Sequence, residues 1–240
     1  MVVNKNVVFD VVGTLAGYER FFEAIDNTLG DRLRKEGIKP KVFGFLWTEV
    51  ASREYTYQSM SGSYTPGNKT FPALFYRILW QCGIENPREF ANDKDLAAIM
   101  EGHSDMRMRD GAAECVKKLR DAGFTVWGLT MDNRETVAGY FERSGIDMPR
   151  ENLHSCDSTG IGKPDPRAYQ PLLERLSKEG GTPWFAAAHQ WDSTAARRTG
   201  YKGAYCTVFE GIALPDIFGE MEVVAETLPE MADKIIAMSN

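Results

Sequence analysis

Short apolar runs recur along this chain and limit the folds that are open to it. They are Val7–Phe9, Phe124–Thr130, Trp184–Ala188, Ala204–Phe209 and Glu222–Ala225. Each is short and rich in β-branched or aromatic residues, which is typical of buried strands. From about residue 110 onward the runs alternate with helical patterns, and this alternation predicts an α/β fold with a parallel sheet covered on both faces.

Residues 16–105 have a different character, because they are aromatic-rich and contain no strand-like run. We expect a helical insert there, directly after the first strand, with a glycine-rich loop at Ser61–Thr70. The predicted domains are therefore a core made of residues 1–15 and 106–240, and a helical subdomain made of residues 16–105. Such an insert would lie above the carboxyl ends of the strands, where open α/β sheets bind ligands. A helical bundle packed elsewhere on the core is the alternative.

Composition excludes several classes of partner. The formal net charge is −6 and there is no basic cluster, so binding to a nucleic-acid backbone is not expected. The four cysteines stand far apart and favour free thiols in a reducing compartment. The N-terminus lacks the pattern of a signal peptide, and no apolar run reaches the length of a membrane span. We therefore expect a cytoplasmic protein without a membrane partner.

Five polar residues fall at or just after the ends of predicted strands: Asp10, Thr14, Thr130, Lys163 and Asp192. The carboxyl ends of parallel strands meet at one edge of a sheet, so these side chains are candidates for a common site. Each also has an ordinary structural explanation. An aspartate can form a turn or cap a helix, a threonine can cap a helix, and a loop lysine is usually solvated.

The order of these residues matches a known set of motifs. FDVVGTL contains Asp10, a threonine ends the next strand, KPDPRAY contains Lys163, and WDSTAARRTG contains Asp192. The set resembles the haloacid dehalogenase superfamily along nearly the whole chain, and it looks closest to the L-2-haloacid dehalogenase branch. The resemblance implies a Rossmann-like core with an inserted helical cap, and a hydrolase activity.

The resemblance also implies catalytic roles. Asp10 would be the nucleophile that forms an ester with the substrate, and Lys163 would keep its carboxylate ionised. Thr14 and Thr130 would bind the carboxylates of the nucleophile and the substrate. Asp192 would help to orient or activate the water that cleaves the ester.

Further positions are expected to lie near the substrate by the same resemblance. They are Val11, Tyr169, His189 and Trp191, and His189 is expected either to donate a hydrogen bond to substrate or halide or to be a satisfied buried histidine. Family members carry Ser, Ser and Asn where this chain has Ala187, Ala188 and His189.

The halide site departs from the family pattern. The arginine that receives the halide in the family would fall near Thr48 and Glu49, and neither residue can hold an anion. Arg53, one turn away, is the nearest substitute, unless it is only a solvated helix residue.

Val12 limits the types of reaction that the site is expected to catalyse. Phosphatases of the superfamily carry a second aspartate two residues after the nucleophile, and this aspartate protonates the leaving alcohol. A valine cannot carry that proton, whereas a halide leaves as a stable anion and needs none. No metal cofactor is expected, although Asp10 and Asp192 would be the ligands if Mg²⁺ were bound.

Three functions remain open from the sequence. The first is a 2-haloacid dehalogenase-like enzyme that acts on a small 2-haloalkanoic acid. The second is a related hydrolase that acts on another electrophile, including a Mg²⁺-dependent phosphatase. The third is a non-catalytic binding protein on the same fold. A small-molecule substrate is the expected partner, and the resemblance is compatible with a homodimer.

Overall fold

The computed structural model describes residues 3–239, and the chain divides into two compact units. One unit combines the residues up to Gly17 with those from Met108 onward, and the other is Tyr18–Arg107. Within the described residues, no helix has both the length and the apolar character needed to cross a bilayer.

The first unit is built on a parallel sheet of six strands in the order β5-β4-β1-β6-β7-β8. These strands are β1 (Asn6–Phe9), β4 (Thr125–Thr130), β5 (Leu153–Ser155), β6 (Trp184–Ala187), β7 (Lys202–Cys206) and β8 (Val223–Ala225). Two further strands, β2 (Ala16–Gly17) and β3 (Arg107–Met108), form a separate pair. The α/β prediction with a parallel sheet is confirmed.

Strand β1 lies in the middle of the sheet between β4 and β6. Phe9 is in register with Gly128 on one side and Ala186 on the other, and Val7, Val8 and Phe9 are fully buried. A strand buried on both faces must be apolar throughout, which explains why this run shows no polar alternation. The residue that follows it, Asp10, therefore emerges at the centre of the carboxyl edge of the sheet.

Helices of the first unit connect the strands. They are α7 (Ala112–Asp121), α8 (Arg134–Arg143), α9 (Pro166–Ser177), α10 (Gln190–Thr199), α11 (Pro215–Phe218) and α12 (Leu228–Ala237), and two short 3₁₀ helices lie at Arg150–Asn152 and Cys156–Ser158. On one side of the sheet, Tyr169 and Leu176 of α9 pack into a buried cluster with Phe185 and Tyr201. This cluster fixes α9 on the sheet directly after the loop that carries Lys163.

The second unit is helical, as its sequence predicts. Its helices are α1 (Glu19–Lys35), α2 (Pro40–Met60), α3 (Gly67–Ala73), α4 (Phe75–Gln81), α5 (Pro87–Phe90) and α6 (Asp93–Ser104). Trp47 is the centre of its core, because it stacks on Phe71 at 5.0 Å and its indole N–H donates to the Phe71 carbonyl. The expected loop at Ser61–Thr70 is only partly correct, since α3 begins at Gly67.

One strand was missed by the sequence analysis, and two of the alternative structural explanations are wrong. Strand β5 was not predicted, because Leu-His-Ser is too short and too polar to form an apolar run. Asp192 is not a helix cap: α10 begins at Gln190, so Asp192 lies inside its first turn. Thr130 does not cap a helix either, and its hydroxyl accepts instead from the N–H of Asp132 at 3.1 Å.

Candidate active site

Asp10 is held at the carboxyl end of β1 by its backbone and its side chain. Its N–H donates to the Ala186 carbonyl at 3.0 Å and continues the pairing with β6 for one more residue. The Thr14 hydroxyl donates to Asp10 Oδ2 at 2.7 Å and accepts from the Ala188 N–H at 2.8 Å. Thr14 therefore fixes the carboxylate of Asp10 to the end of β6.

Gly13 makes this turn possible. Its φ of +89° lies in the left-handed region, where a side chain is strained, and a Cβ at this position would collide with the ring of His189. The loop after β1 therefore needs glycine for its conformation and for the close approach of His189.

Lys163 is buried and is not a surface lysine. It lies in the loop between the 3₁₀ helix Cys156–Ser158 and α9, and its side chain is fully inaccessible to solvent. Its ammonium donates to Asp10 Oδ1 at 3.0 Å and to Asp192 Oδ2 at 2.7 Å. The single cation thus joins two carboxylates that are far apart in the sequence.

Asp192 is the most enclosed of these acidic groups. Its Oδ2 accepts from Lys163, and its Oδ1 accepts from the Tyr169 hydroxyl at 2.5 Å. Tyr169 is itself fully buried on α9. Both oxygens of Asp192 are therefore engaged, and Tyr169 contacts Asp192 instead of facing open space.

The surroundings favour an ionised Asp10. Burial raises the pKa of Asp10, but the Lys163 ammonium and the hydrogen bonds from His189 and Thr14 outweigh burial and hold this pKa well below its usual range. For Asp192, burial and the charge of Asp10 outweigh the two donors, so its pKa is raised. Burial lowers the pKa of Lys163, but the two carboxylates raise it overall, so Lys163 stays charged.

His189 lies next to the carboxylate of Asp10. Its Nδ1 lies 3.4 Å from Asp10 Oδ2, and its side chain keeps 15% of its surface exposed. The ring packs between Phe209, at 4.9 Å between ring centroids, and Trp191, at 5.8 Å. His189 is thus placed beside Asp10 by the first turn of α10 and by the residues after β7.

Two other predicted substrate positions border the same strand ends. Thr130 ends β4 and is buried, and because its hydroxyl oxygen accepts from Asp132, its proton is available for another acceptor. The buried side chain of Val11 packs beside Gly128 of β4. The role of Val11 in substrate binding stays a prediction.

Arg53 belongs to the other unit, on α2. Its side chain is 47% exposed and pairs with Glu54 at 3.3 Å. In the same helix, the Thr48 hydroxyl donates to the Phe45 carbonyl. The role of Arg53 as an anion ligand stays a prediction.

Asp132 was missed by the sequence reasoning. It lies two residues after the end of β4, and burial together with the charges of Asp157 and Asp10 raises its pKa to about 6. Its place just beyond a strand end was the available signal, since the same rule selected Asp10. The charge of Asp10 acts on Asp132, so Asp132 is a further acidic group at this edge of the sheet.

The described residues do not fit a metal site. Between residues 3 and 239 no group of three or more His, Cys, Asp or Glu side chains is arranged to hold a metal ion. Asp10 and Asp192 already share the Lys163 ammonium.

Comparison with known proteins identifies the family. Residues 5–200 match the family model described as a haloacid dehalogenase-like hydrolase. The chain therefore belongs to the haloacid dehalogenase-like hydrolases, and the resemblance drawn from the motifs is confirmed.

Individual relatives agree with this assignment. The chain is 30% identical over 103 residues to (S)-2-haloacid dehalogenase 4A of Burkholderia cepacia, a match that covers 43% of this chain and only 45% of that protein. It is 20% identical over 236 residues to the (S)-2-haloacid dehalogenase of Pseudomonas putida, covering 97% of this chain and 96% of that one. The L-2-haloacid dehalogenase structure from Xanthobacter autotrophicus superposes with a TM-score of 0.77 at 17% identity, over 97% of this chain and 98% of that one. This structural likeness establishes the fold.

Proposed function

We propose that this protein is a hydrolase that releases halide from a small 2-haloalkanoic acid through a covalent ester on Asp10. The observation that carries the proposal is the pair formed by an ionised Asp10 and the buried Lys163 ammonium 3.0 Å away. A carboxylate that stays ionised is a nucleophile, whereas a protonated one is not. The names of the relatives, which are 2-haloacid dehalogenases, support the choice of substrate.

In the first step, an oxygen of Asp10 attacks the carbon that carries the halogen. A carbon–oxygen bond forms, and the carbon–halogen bond breaks with its electron pair on the halide. Because a halide is stable as an anion, the half-buried Val12 in the position of a general acid is no obstacle. Backside attack inverts the configuration at the substrate carbon.

Other residues of the site would position the reactants. Thr14 orients the nucleophile, and Thr130 has a proton left to donate to the substrate carboxylate. Tyr169 acts through Asp192 as a positioning residue, because its hydroxyl is engaged there. We also propose that residues 16–105 act as a cap that excludes water from the substrate, with Arg53 as a candidate anion ligand.

Halide release tests the proposal directly. Purified protein is incubated with L-2-chloropropionate without added Mg²⁺, and chloride and the configuration of the lactate are measured. We expect chloride together with D-lactate, and no product from Asp10→Asn. Phosphate release from an aryl phosphate that requires Mg²⁺, with no chloride, would favour the phosphatase alternative. A protein without either activity would favour a binding role.

A further inference from the structure

The second half of the proposed reaction needs a proton acceptor. Water must attack the carboxyl carbon of the Asp10 ester, and it attacks much faster when a base removes its proton. Asp192 is poorly suited to this task, because its two oxygens accept from Lys163 and Tyr169 and its side chain is only 1% exposed. With so little of its side chain exposed, Asp192 offers almost no surface at which a water molecule can approach.

His189 has the access that Asp192 lacks. Its Nδ1 faces Asp10 Oδ2 at 3.4 Å, and its side chain is 15% exposed. The ring cannot swing toward Gly13, where even a Cβ would collide with it, and it is flanked by Phe209 and Trp191. A water that approaches the Asp10 carboxyl carbon from this side meets an imidazole held in place.

We propose that His189 is the catalytic base that removes a proton from water when the Asp10 ester is hydrolysed, an inference that rests on the proposed function. Water adds to the carboxyl carbon of Asp10 while its proton moves to His189. The bond from this carbon to the substrate oxygen then breaks, and the leaving alkoxide takes the proton from His189. Asp10 is restored as a carboxylate that keeps the oxygen of the water, and the proton released overall accompanies the halide.

The charges around His189 change in the direction that this step requires. Burial lowers the pKa of His189, but Asp10, Asp192 and Glu210 raise it overall in the free protein. Two cations lie near this group: Lys163, which donates to Asp10, and Arg109, whose guanidinium donates to the Gly13 carbonyl and lies 5.7 Å from the Phe209 ring. The charge of Asp10 is the strongest of the influences that raise the pKa of His189. Formation of the ester removes this charge and therefore favours the neutral imidazole, which can act as a base.

The two halves of the reaction can be measured separately in His189→Gln. Glutamine keeps a hydrogen-bonding side chain of similar length but cannot accept a proton near neutral pH. The variant is mixed with excess L-2-chloropropionate, chloride is counted per site, and the peptide that contains Asp10 is weighed. We expect about one chloride per site, an accumulated Asp10 ester, and then turnover that is at least about 100-fold slower than in the wild type.

A matched control is His154→Gln, because His154 lies on β5 and does not contact Asp10, Lys163 or Asp192. It should show wild-type turnover without accumulated ester. His189→Ala provides the same readouts if His189→Gln does not fold.

Three results would overturn the assignment of His189. The first is ester hydrolysis in the variant within about threefold of the wild-type rate, and the second is a folded variant that releases no chloride at all. The third is a wild-type protein that releases no chloride, which refutes the proposed function and the inference with it. The wild-type measurement alone distinguishes this third result from the first two.

Discussion

Lys163→Met tests how much the buried Lys163 ammonium stabilises the two carboxylates of the site. The substitution keeps an unbranched apolar side chain but removes the ammonium that bonds to Asp10 at 3.0 Å and to Asp192 at 2.7 Å. Removing one partner from a buried ion pair costs about 3–5 kcal/mol, because the remaining charge is left uncompensated. Here one cation serves two carboxylates, so we expect the free energy of unfolding at pH 7.5 to fall by at least that amount.

The loss should depend on pH in a defined direction. Without the ammonium, burial raises the pKa of both carboxyl groups above the value of about 3.9 found in unfolded chains. An acid whose folded pKa is raised costs stability as the pH rises from its unfolded pKa to its folded pKa. The difference between variant and wild type should therefore be small near pH 4 and should grow toward neutral pH.

Urea unfolding at pH 4.5 and pH 7.5 measures both quantities. With a denaturant slope of about 3 kcal/mol per M, a loss of about 3–5 kcal/mol corresponds to a fall of about 1–1.7 M in the midpoint at pH 7.5, so we expect a fall of at least this size. The matched control is Lys117→Met, which removes an ammonium that is 73% exposed and pairs with Asp121, and it should change the stability by less than about 0.5 kcal/mol. An equal loss at both pH values would show that packing, not charge, explains the effect and would refute the reasoning.

Two further substitutions probe the positioning of the site. Tyr169→Phe removes the 2.5 Å hydrogen bond to Asp192, so we expect the free energy of unfolding to fall by about 1.5–3 kcal/mol. We also expect a lower kcat with little change in KM. An unchanged kcat would contradict the positioning role. Gly13→Ala places a Cβ against His189 at a backbone φ of +89°, so it should destabilise the protein by more than about 1 kcal/mol and slow halide release at least about tenfold. Wild-type kinetics in Gly13→Ala would show that His189 does not need its present position.

Much of the core could be predicted because its strands are buried on both faces. Val7–Phe9 and Trp184–Ala187 appear as continuous apolar runs, so their existence and approximate bounds follow from the sequence. Leu153–Ser155 was missed because a three-residue edge strand needs no such run.

The candidate site was only partly predictable for a similar reason. The motifs place Asp10, Lys163 and Asp192 at or beyond the ends of strands, but their spacing does not show which atoms meet. That Asp192 has both oxygens engaged, and that His189 approaches Asp10, depends on side-chain directions set by the turns at Gly13 and at the start of α10. Such contacts are tertiary and leave no periodic signal in the sequence.

The formation of an ester on Asp10 can be measured by a single turnover in ¹⁸O-labelled water. Enzyme in excess over L-2-chloropropionate is quenched after one turnover, and both the hydroxy acid and the peptide that contains Asp10 are weighed. Because water attacks the carboxyl carbon of the ester, we predict one ¹⁸O atom in the Asp10 peptide and none in the product. Label in the product with none in Asp10 would show that water attacks the substrate directly and would contradict the covalent mechanism.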